Sequence, residues 1–352
     1  MGFVIGSPER MVARRLVSLL TSGDGTAVTG GHMYNRHMVE GAAQHGFHIE
    51  VVQVNRPFDP RTVQGQVVID SLVAWEAALR LGGAGLPPLA ALVHQVAGGV
   101  YGPRALRLAR RLADLALYKR CDLVIAASTF LGQELVSAGI PRDRIRIIPP
   151  GSNLPGDETV HAPHQLRLGR RLAILNVANW VPNKGILELL DAVEPMSSDE
   201  VVLHLVGSPD MNHRYASRVS ARLTDATLRD KVFVHGSVPK VQVGSFYAGA
   251  DVVVLTSRDE GYGTVIAEAL GSGVPVIAWD SGNLPNLLRD GEGGFLLPTG
   301  DVAGVTDAVR LLARDEELLS SLSSKAARRG SDLPTWHQSS RLFFEALNEV
   351  AS

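Results

Sequence analysis

The segment that decides the fold runs Asp251-Val-Val-Val-Leu-Thr-Ser257, then Glu260-Gly-Tyr-Gly-Thr-Val-Ile-Ala-Glu268, then Val274-Pro-Val-Ile-Ala278. The first and third parts are continuous apolar runs, which are typical of strands buried on both faces of a sheet. The middle part carries Gly261 and Gly263, which let the backbone turn sharply and come close to a ligand. Strand, glycine turn, helix and strand in this order indicate a parallel α/β unit.

Two carboxylates bracket this turn, with Glu260 before it and Glu268 eight positions later in the predicted helix. Backbone amides and the helix dipole favour an anion such as a phosphate at a helix N-terminus. Ionised carboxylates only accept hydrogen bonds, so they suit the hydroxyl groups of a sugar. The combination predicts a phosphorylated sugar as the ligand.

Similar apolar runs alternate with helical stretches along the whole chain, which is typical of parallel α/β architecture. Twelve strands are predicted, at Leu16–Thr21, His48–Val54, Gln66–Ile69, Leu89–His94, Asp122–Ala126, Arg144–Ile148, Leu172–Ala178, Val201–Val206, Lys231–His235, Asp251–Thr256, Val274–Ala278 and Gly294–Leu297. Because nearly all of them are continuously apolar, we expect helices to cover both faces of each sheet.

A proline- and glycine-rich stretch, Pro149-Pro-Gly-Ser-Asn-Leu-Pro-Gly156, interrupts this alternation. It divides the chain into two doubly wound, Rossmann-like domains, residues 1–150 and 151–334. Ligands of open parallel sheets bind beyond the carboxyl ends of the strands. We therefore expect the site in the cleft between the two domains.

Composition limits the class of protein. The chain has 352 residues with 34 basic and 36 acidic side chains, so no strong field attracts nucleic acid. The single cysteine, Cys121, excludes an internal disulfide and suits a reducing cytosol. No apolar run approaches the roughly 20 residues of a membrane span, and residues 1–14 lack the apolar core of a secretory signal. We expect a soluble, cytoplasmic protein.

Residues 172–301 resemble the donor-binding domain of retaining glycosyltransferases of family 4, which have the GT-B fold. Glu260 and Glu268 match the E-x7-E motif of that family. Further matches follow in the order and spacing of the family: Val181-Pro-Asn-Lys-Gly185, Leu205-Val-Gly207, Val234-His-Gly-Ser-Val-Pro239, Phe246-Tyr-Ala-Gly-Ala-Asp251, Ala269-Leu-Gly-Ser-Gly-Val-Pro-Val-Ile-Ala278, Ser281-Gly-Asn-Leu-Pro285 and Asp290-Gly-Glu-Gly-Gly-Phe-Leu-Leu-Pro298. The N-terminal half resembles the family more faintly, through Thr29-Gly-Gly-His-Met-Tyr34, Cys121-Asp-Leu-Val-Ile-Ala-Ala-Ser128, Gly139-Ile-Pro141 and Ile145-Arg-Ile-Ile-Pro-Pro-Gly151.

The resemblance implies a GT-B protein whose C-terminal helix, residues 335–350, crosses back onto the N-terminal domain. The implied activity is transfer of a sugar from a nucleotide-diphosphate sugar, UDP- or GDP-linked, to an acceptor hydroxyl. We expect transfer with retention of the anomeric configuration, through a front-face mechanism and without a cofactor. The acceptor would be a small molecule, a sugar or a lipid-linked group.

The resemblance also implies roles for single residues. Glu260 and His94 would orient the sugar and Lys184 would stabilise the diphosphate, which makes these three the catalytic candidates. The implied donor-binding residues are Glu268, Asn179, Gly30, Gly31, Gly236, Val238, Tyr262, Gly263, Thr264 and Val265. Asp70 and Ser71, at the end of a neighbouring strand, are candidates for contact with the acceptor. Asn179 departs from the family, which usually has an arginine there, and a neutral amide supplies no charge.

Other classes of enzyme fit less well. Paired carboxylates of a glycosidase lie roughly 5 to 10 Å apart, and eight helical residues span about 12 Å, although the loop at Glu260 shortens this distance. A nicotinamide enzyme needs G-x-G-x-x-G after the first strand, and Gly23-Asp-Gly25 with Gly30-Gly31 does not supply that spacing. No Asp-x-Asp pair follows a strand, so we predict no metal site.

Two further interpretations keep the fold. Asn179, together with Asn286 where the family often has glutamate, would also fit a catalytically weak or inactive sugar-nucleotide-binding or partner subunit. An epimerase of the same fold also stays open. The basic, amphipathic stretch Arg104–Arg120 could lie on an anionic membrane. A solvated face is the preferred interpretation, because Asp114 interrupts the basic pattern and the net charge is only −2.

Overall fold

The computed structural model describes residues 14–22, 29–54, 63–80, 88–100, 102–152 and 164–350. Residues 1–13 lie outside the described residues, as do Gly23 and Gly25. The predicted boundary, residues 149–156, is described only as far as Ser152.

Two six-stranded parallel sheets organise the chain, in the orders β2-β1-β3-β4-β5-β6 and β12-β11-β10-β7-β8-β9. The strands of the first sheet are β1 Arg15–Thr21, β2 Phe47–Gln53, β3 Gln66–Asp70, β4 Leu89–Val93, β5 Leu123–Ala126 and β6 Ile145–Ile147. Those of the second are β7 Leu172–Val177, β8 Val201–Val206, β9 Val232–Gly236, β10 Val252–Leu255, β11 Val276–Trp279 and β12 Gly294–Leu297. All twelve predicted strands are present, with ends within two residues of the prediction.

Thirteen helices are described between and after these strands. They are α1 Gly30–Gly41, α2 Ala74–Arg80, α3 Arg104–Tyr118, α4 Thr129–Ser137, α5 Ile186–Val193, α6 His213–Arg222, α7 Ala226–Arg229, α8 Lys240–Gly249, α9 Thr264–Gly271, α10 Leu284–Leu287, α11 Val302–Arg314, α12 Glu316–Ser331 and α13 Trp336–Val350. The last helix packs on the first sheet, where Phe343, Phe344 and Leu347 join the cluster that contains Val17 and Ile125.

Buried apolar clusters cover both faces of each sheet, as the continuous apolar strands predict. The edge strands differ. In β2, Phe47 and Ile49 are buried while His48 and Glu50 are exposed, and in β9 Phe233 and Val234 are exposed. The expectation of full coverage is wrong at these edges, because an outermost strand has a neighbour on one side only.

The sheet order places the site. Strand β1 lies between β2 and β3, and β7 lies between β10 and β8, so each sheet has a topological switch point. The loops that leave the carboxyl ends of the strands at such a point form the ligand crevice. The two domains meet there: the Ser128 hydroxyl donates to the carbonyl of Gly261 at 2.6 Å, and the Tyr262 hydroxyl to that of Pro150 at 3.3 Å.

Candidate functional site

The loop between β10 and α9 is held by hydrogen bonds to two of its backbone carbonyl groups. The amide of Asn283 donates to the carbonyl of Glu260 at 2.9 Å, and the side-chain amide of Asn183 donates to that of Asp259 at 2.8 Å. Gly282 has a φ of 56° and packs directly on the Glu260 backbone, where a Cβ atom would collide. A rigid loop of this kind presents the Glu260 side chain in one place.

Glu260 and Lys184, which the sequence assigns to the sugar and the diphosphate, form an ion pair with each other. The pair is mostly buried, with 23% of the lysine side chain and 12% of the glutamate side chain exposed. The lysine ends a short 3-10 turn, Pro182–Lys184, and Gly185 follows in the left-handed conformation against the carbonyl of Thr256. Burial and the adjacent charge of Glu260 raise the pKa of Asp259, and the charge of Lys184 opposes this shift. Lys184 therefore lies close to two carboxylates.

Glu268 lies on α9 and is bound at both carboxylate oxygens. The ammonium of Lys240 pairs with one oxygen, and the Tyr247 hydroxyl donates to the other at 2.9 Å. Burial raises the pKa of Tyr247 well above its ordinary value, so the phenol stays a donor. The sequence interpretation missed Lys240 and Tyr247. The signal was available, since Lys240 directly follows the matched segment Val234–Pro239 and Tyr247 lies inside the next one.

The predicted phosphate end of the site comes together across the domain boundary. Gly263, with a φ of 99°, precedes the first turn of α9, where Thr264 and Val265 are half-buried. Gly30, at the start of α1, faces this turn so closely that a Cβ atom on it would lie 3.0 Å from the Thr264 hydroxyl. A Cβ atom on Gly31 would lie 3.1 Å from the His94 ring. The two helix N-termini therefore face one shared space, and a helix N-terminus favours a bound anion.

Asn179 lies at the same edge of the second sheet but is engaged with the protein itself. Its side-chain oxygen accepts a hydrogen bond from the backbone amide of Ser208 at 3.0 Å, which ties the loop after β7 to the loop after β8. Gly236 ends β9, accepts from the amide of Gly207 at 2.8 Å, and leads to the half-buried Val238. The arrangement suits backbone contacts to a ligand at this end of the cleft.

Three predicted contacts need correction. Asp70 has no exposed surface and Ser71 is 3% exposed, so both lie beneath the cleft, which corrects the prediction that they contact an acceptor. The Ser71 hydroxyl instead accepts a hydrogen bond from the backbone amide of His94 at 3.0 Å. The Tyr262 ring is buried and its hydroxyl points to Pro150, so only the backbone of Tyr262 is available to a donor.

Neither a metal cluster nor a spanning helix is found in the part of the chain that the structure describes. Within those ranges no three His, Cys, Asp or Glu side chains are grouped so that they could hold a metal ion. No helix among the described residues has the length and apolar character needed to cross a membrane.

Comparison with known proteins places the chain. The family model "Glycosyl transferases group 1" matches residues 159–329 and the model "Glycosyltransferase Family 4" matches residues 67–154. The chain belongs to glycosyltransferase family 4. Its fold is GT-B: sucrose-phosphate synthase from Thermosynechococcus elongatus superposes with a TM-score of 0.79 at 20% identity, covering 96% of this chain and 99% of that one. Anabaena Alr3699/HepE, solved in complex with UDP, superposes with a TM-score of 0.75 at 19% identity, covering 96% and 100%.

The chain matches its sequence relatives in this family over only part of their length. The D-inositol 3-phosphate glycosyltransferase of Xylanimonas cellulosilytica is 30% identical over 206 residues, which are 55% of this chain and 49% of the relative. The mannosylfructose-phosphate synthase of Agrobacterium fabrum is 27% identical over 235 residues, 63% of this chain and 52% of the relative. The chain thus spans about half the length of these curated relatives. The expectations of family and of fold class are confirmed.

Proposed function

We propose that this family 4 member transfers a sugar from a nucleotide-diphosphate sugar to an acceptor hydroxyl, with retention of configuration. The observation that carries the proposal is the pairing of each glutamate of the E-x7-E motif with a lysine, Glu260 with Lys184 and Glu268 with Lys240. Glu260 precedes α9 and Glu268 lies on it. Thr264, in the first turn of α9, faces Gly30 of the other domain, and Gly261 in the preceding loop adjoins the backbone of His94. A diphosphate at that turn would lie between a site for ribose and a site for the transferred sugar.

The chemistry follows from these groups. Glu268 accepts hydrogen bonds from the ribose hydroxyls, while Glu260 and His94 orient the transferred sugar and favour positive charge at its anomeric carbon. The bond from that carbon to the diphosphate breaks as the acceptor oxygen bonds on the same face. The departing phosphate oxygen takes the acceptor proton, so no separate enzymic base is required. Lys184 and the amides of Gly263–Val265 stabilise the charge left on the diphosphate.

Asn179 makes Lys184 more important than in relatives with an arginine at that position. The amide at Asn179 donates at most neutral hydrogen bonds, so the positive charge at the diphosphate comes from Lys184. In the structure Lys184 is neutralised by Glu260. Donor binding would then place the ammonium between the Glu260 carboxylate and the diphosphate, which links leaving-group stabilisation to the residue that orients the sugar.

Donor binding is the first property to test. We expect one of UDP, GDP or ADP, or its sugar conjugate, to raise the thermal unfolding midpoint, and we expect EDTA to leave this shift unchanged. A ligand that binds only the folded state at 100 times its Kd stabilises by about 2.7 kcal/mol. The variant Glu268→Gln should lose most of the shift. Glu200→Gln, which changes another half-buried, ion-paired glutamate of the same domain, should keep the shift.

The outcomes of this test separate the alternatives. A shift that disappears in EDTA contradicts metal independence. A shift without sugar transfer favours the sugar-nucleotide-binding subunit, to which the neutral Asn179 points. Rearrangement of the donor sugar without an acceptor identifies an epimerase. Absence of any shift with every nucleotide contradicts the proposed function itself.

The N-terminal domain has an exposed apolar stripe on α3. Leu108 and Leu112 are 59% and 63% exposed and lie one turn apart, and Leu79 of the adjoining α2 is 73% exposed. Asp114, expected to interrupt this face, is buried on the opposite side, where it accepts a hydrogen bond from the amide of Gly98 at 2.7 Å. Exposed basic residues lie on the same helix and directly after it: Arg104, Arg107, Lys119 and Arg120. We propose that α3 rests on an anionic lipid surface, which would suit a lipid-linked acceptor.

Vesicle sedimentation tests this contact. We expect the protein to pellet with phosphatidylcholine vesicles that contain phosphatidylglycerol and to stay in the supernatant with phosphatidylcholine alone. The double variant Leu108→Ser/Leu112→Ser should bind at least about tenfold more weakly, since each apolar methylene kept in water costs about 0.8 kcal/mol. Leu311→Ser, at an exposed leucine of α11 in the other domain, is the matched control. Equal binding by both variants contradicts the proposed contact.

A further inference from the structure

A network of buried, hydrogen-bonded polar side chains lies directly beneath His94 in the N-terminal domain. Asp70 has no exposed surface, and Thr21 and Asn35 are each 5% exposed. The Asp70 carboxylate accepts hydrogen bonds from the Thr21 hydroxyl at 2.9 Å, from the Asn35 side-chain amide at 2.5 Å and from the Leu72 backbone amide at 2.9 Å. Buried polar groups of this kind are costly unless they are satisfied, so the network specifies one arrangement.

This arrangement determines which way the Asn35 amide points. An ionised carboxylate only accepts hydrogen bonds, so the nitrogen of Asn35 faces Asp70 and its oxygen faces away. That oxygen lies 3.4 Å from Nε2 of His94. An amide oxygen has no proton to donate, so the proton between the two groups belongs to the histidine nitrogen. The geometry therefore favours the neutral tautomer of His94 that carries its proton on Nε2.

The surroundings of His94 hold the ring in place. Its backbone amide donates to Ser71, its ring lies 5.1 Å from that of Tyr34, and its edge packs against Gly31. Burial lowers the pKa of His94, and the charge of Asp70 opposes this shift. Among the described residues, Nδ1 has no hydrogen-bond partner. A neutral histidine with the proton on Nε2 offers a lone pair at Nδ1.

We propose that Asn35, oriented by Asp70, is a positioning residue that holds His94 as the Nε2–H tautomer and leaves Nδ1 as an acceptor for a substrate hydroxyl. Asp70 thus acts on the site through two side chains rather than by touching an acceptor. The effect on turnover rests on the proposed transferase, whereas the tautomer of His94 does not.

The tautomer is measured by nitrogen-15 NMR of the full-length protein with labelled histidine, above the ordinary histidine pKa. The His94 signals are identified by their loss in His94→Gln. In the native protein we expect the proton on Nε2. Asn35→Leu removes the amide and should allow both tautomers. Asp70→Asn, of the same shape, should also allow both tautomers. An uncharged amide at position 70 can donate as well as accept, so the Asn35 side-chain amide can flip and exchange its oxygen and nitrogen.

A matched control separates this effect from the general loss of a buried amide. Asn176 is 1% exposed and donates to the carbonyl of Val254 at 2.8 Å in the other domain, so Asn176→Leu should leave the His94 signals unchanged. A native His94 with its proton on Nδ1 overturns the proposal, and so does an unchanged tautomer in a folded Asn35→Leu or Asp70→Asn. The native measurement decides even if a variant does not fold.

Activity provides a second readout. We expect Asn35→Leu to lower kcat about tenfold. The thermal shift on donor binding should equal that of the native protein, because a misoriented His94 ring affects the reacting geometry more than it affects nucleotide binding. An unchanged kcat contradicts the proposed role. If the native protein transfers no sugar, the proposed function fails, while the NMR result on the tautomer still stands.

Discussion

Replacing Glu260 with glutamine is expected to lower the rate of sugar transfer by about 10² to 10³-fold, the usual cost of removing one preorganised electrostatic contact at a reacting centre. Glutamine preserves the shape and can still accept a hydrogen bond, but it carries no negative charge to favour a cationic anomeric carbon. It also releases Lys184 from its ion pair. Donor affinity should therefore be retained or increased, while kcat falls.

Initial transfer rates and donor-dependent thermal shifts, measured on the same preparation, check this split between kcat and binding. Glu200→Gln is again the matched control, because Glu200 is an ion-paired glutamate of the same domain that precedes β8, whereas α9 follows the carboxyl end of β10. A native rate in Glu260→Gln contradicts the proposed role of this carboxylate. A loss of donor binding equal to the loss of rate would instead assign Glu260 to the nucleotide.

Replacing Lys184 with alanine is expected to reduce both donor binding and transfer, with kcat/KM lower by about 10²-fold or more. The physical reason is twofold. The diphosphate loses the cation that compensates for the neutral Asn179, and the Glu260 carboxylate, only 12% exposed, is left without its ion-pair partner beside Asp259. An uncompensated, mostly buried charge of this kind is strongly unfavourable and repels an anionic ligand.

The double variant Lys184→Ala/Glu260→Gln isolates the second effect. It should bind the donor better than Lys184→Ala alone, because it removes the unpaired carboxylate, but it should not recover the transfer rate. Lys325→Ala, which removes a lysine that donates to the carbonyl of Gly291 at 3.0 Å, is the control for loss of a lysine elsewhere in the domain. Strictly additive binding losses in the double variant contradict the coupling of the two side chains.

The sequence predicted the architecture well because parallel strands buried on both faces leave a strong local signal. A continuous apolar run such as Val252–Leu255 can hardly be anything but an inner strand, and the glycines around Tyr262 mark the turn that follows it. The edge strand β9 was placed correctly, yet its exposure was not predicted. Its apolar residues resemble those of an inner strand, and only the sheet order reveals that it has a single neighbour.

The site was predicted as a set of residues but not as a set of contacts. Lys184 and Glu260 are 76 positions apart, and the charge pairing between them follows from the packing of two loops at one sheet edge. The same holds for Lys240 with Glu268. The sequence analysis placed Asp70 correctly at the end of β3, but it did not predict that the side chain is buried. Asn35 of the neighbouring α1 covers the Asp70 carboxylate and donates a hydrogen bond to it.

The sequence alone thus determined the two-domain parallel architecture, the family, and which glutamates and lysine stand near the cleft, because these depend on local patterns of apolar, glycine and charged residues. The tertiary structure decided which charges neutralise each other, which carboxylate is buried, and which nitrogen of His94 lies beside the Asn35 amide oxygen. Those properties arise between residues far apart in the chain, where distance, burial and the direction of each donor determine the electrostatics of the site.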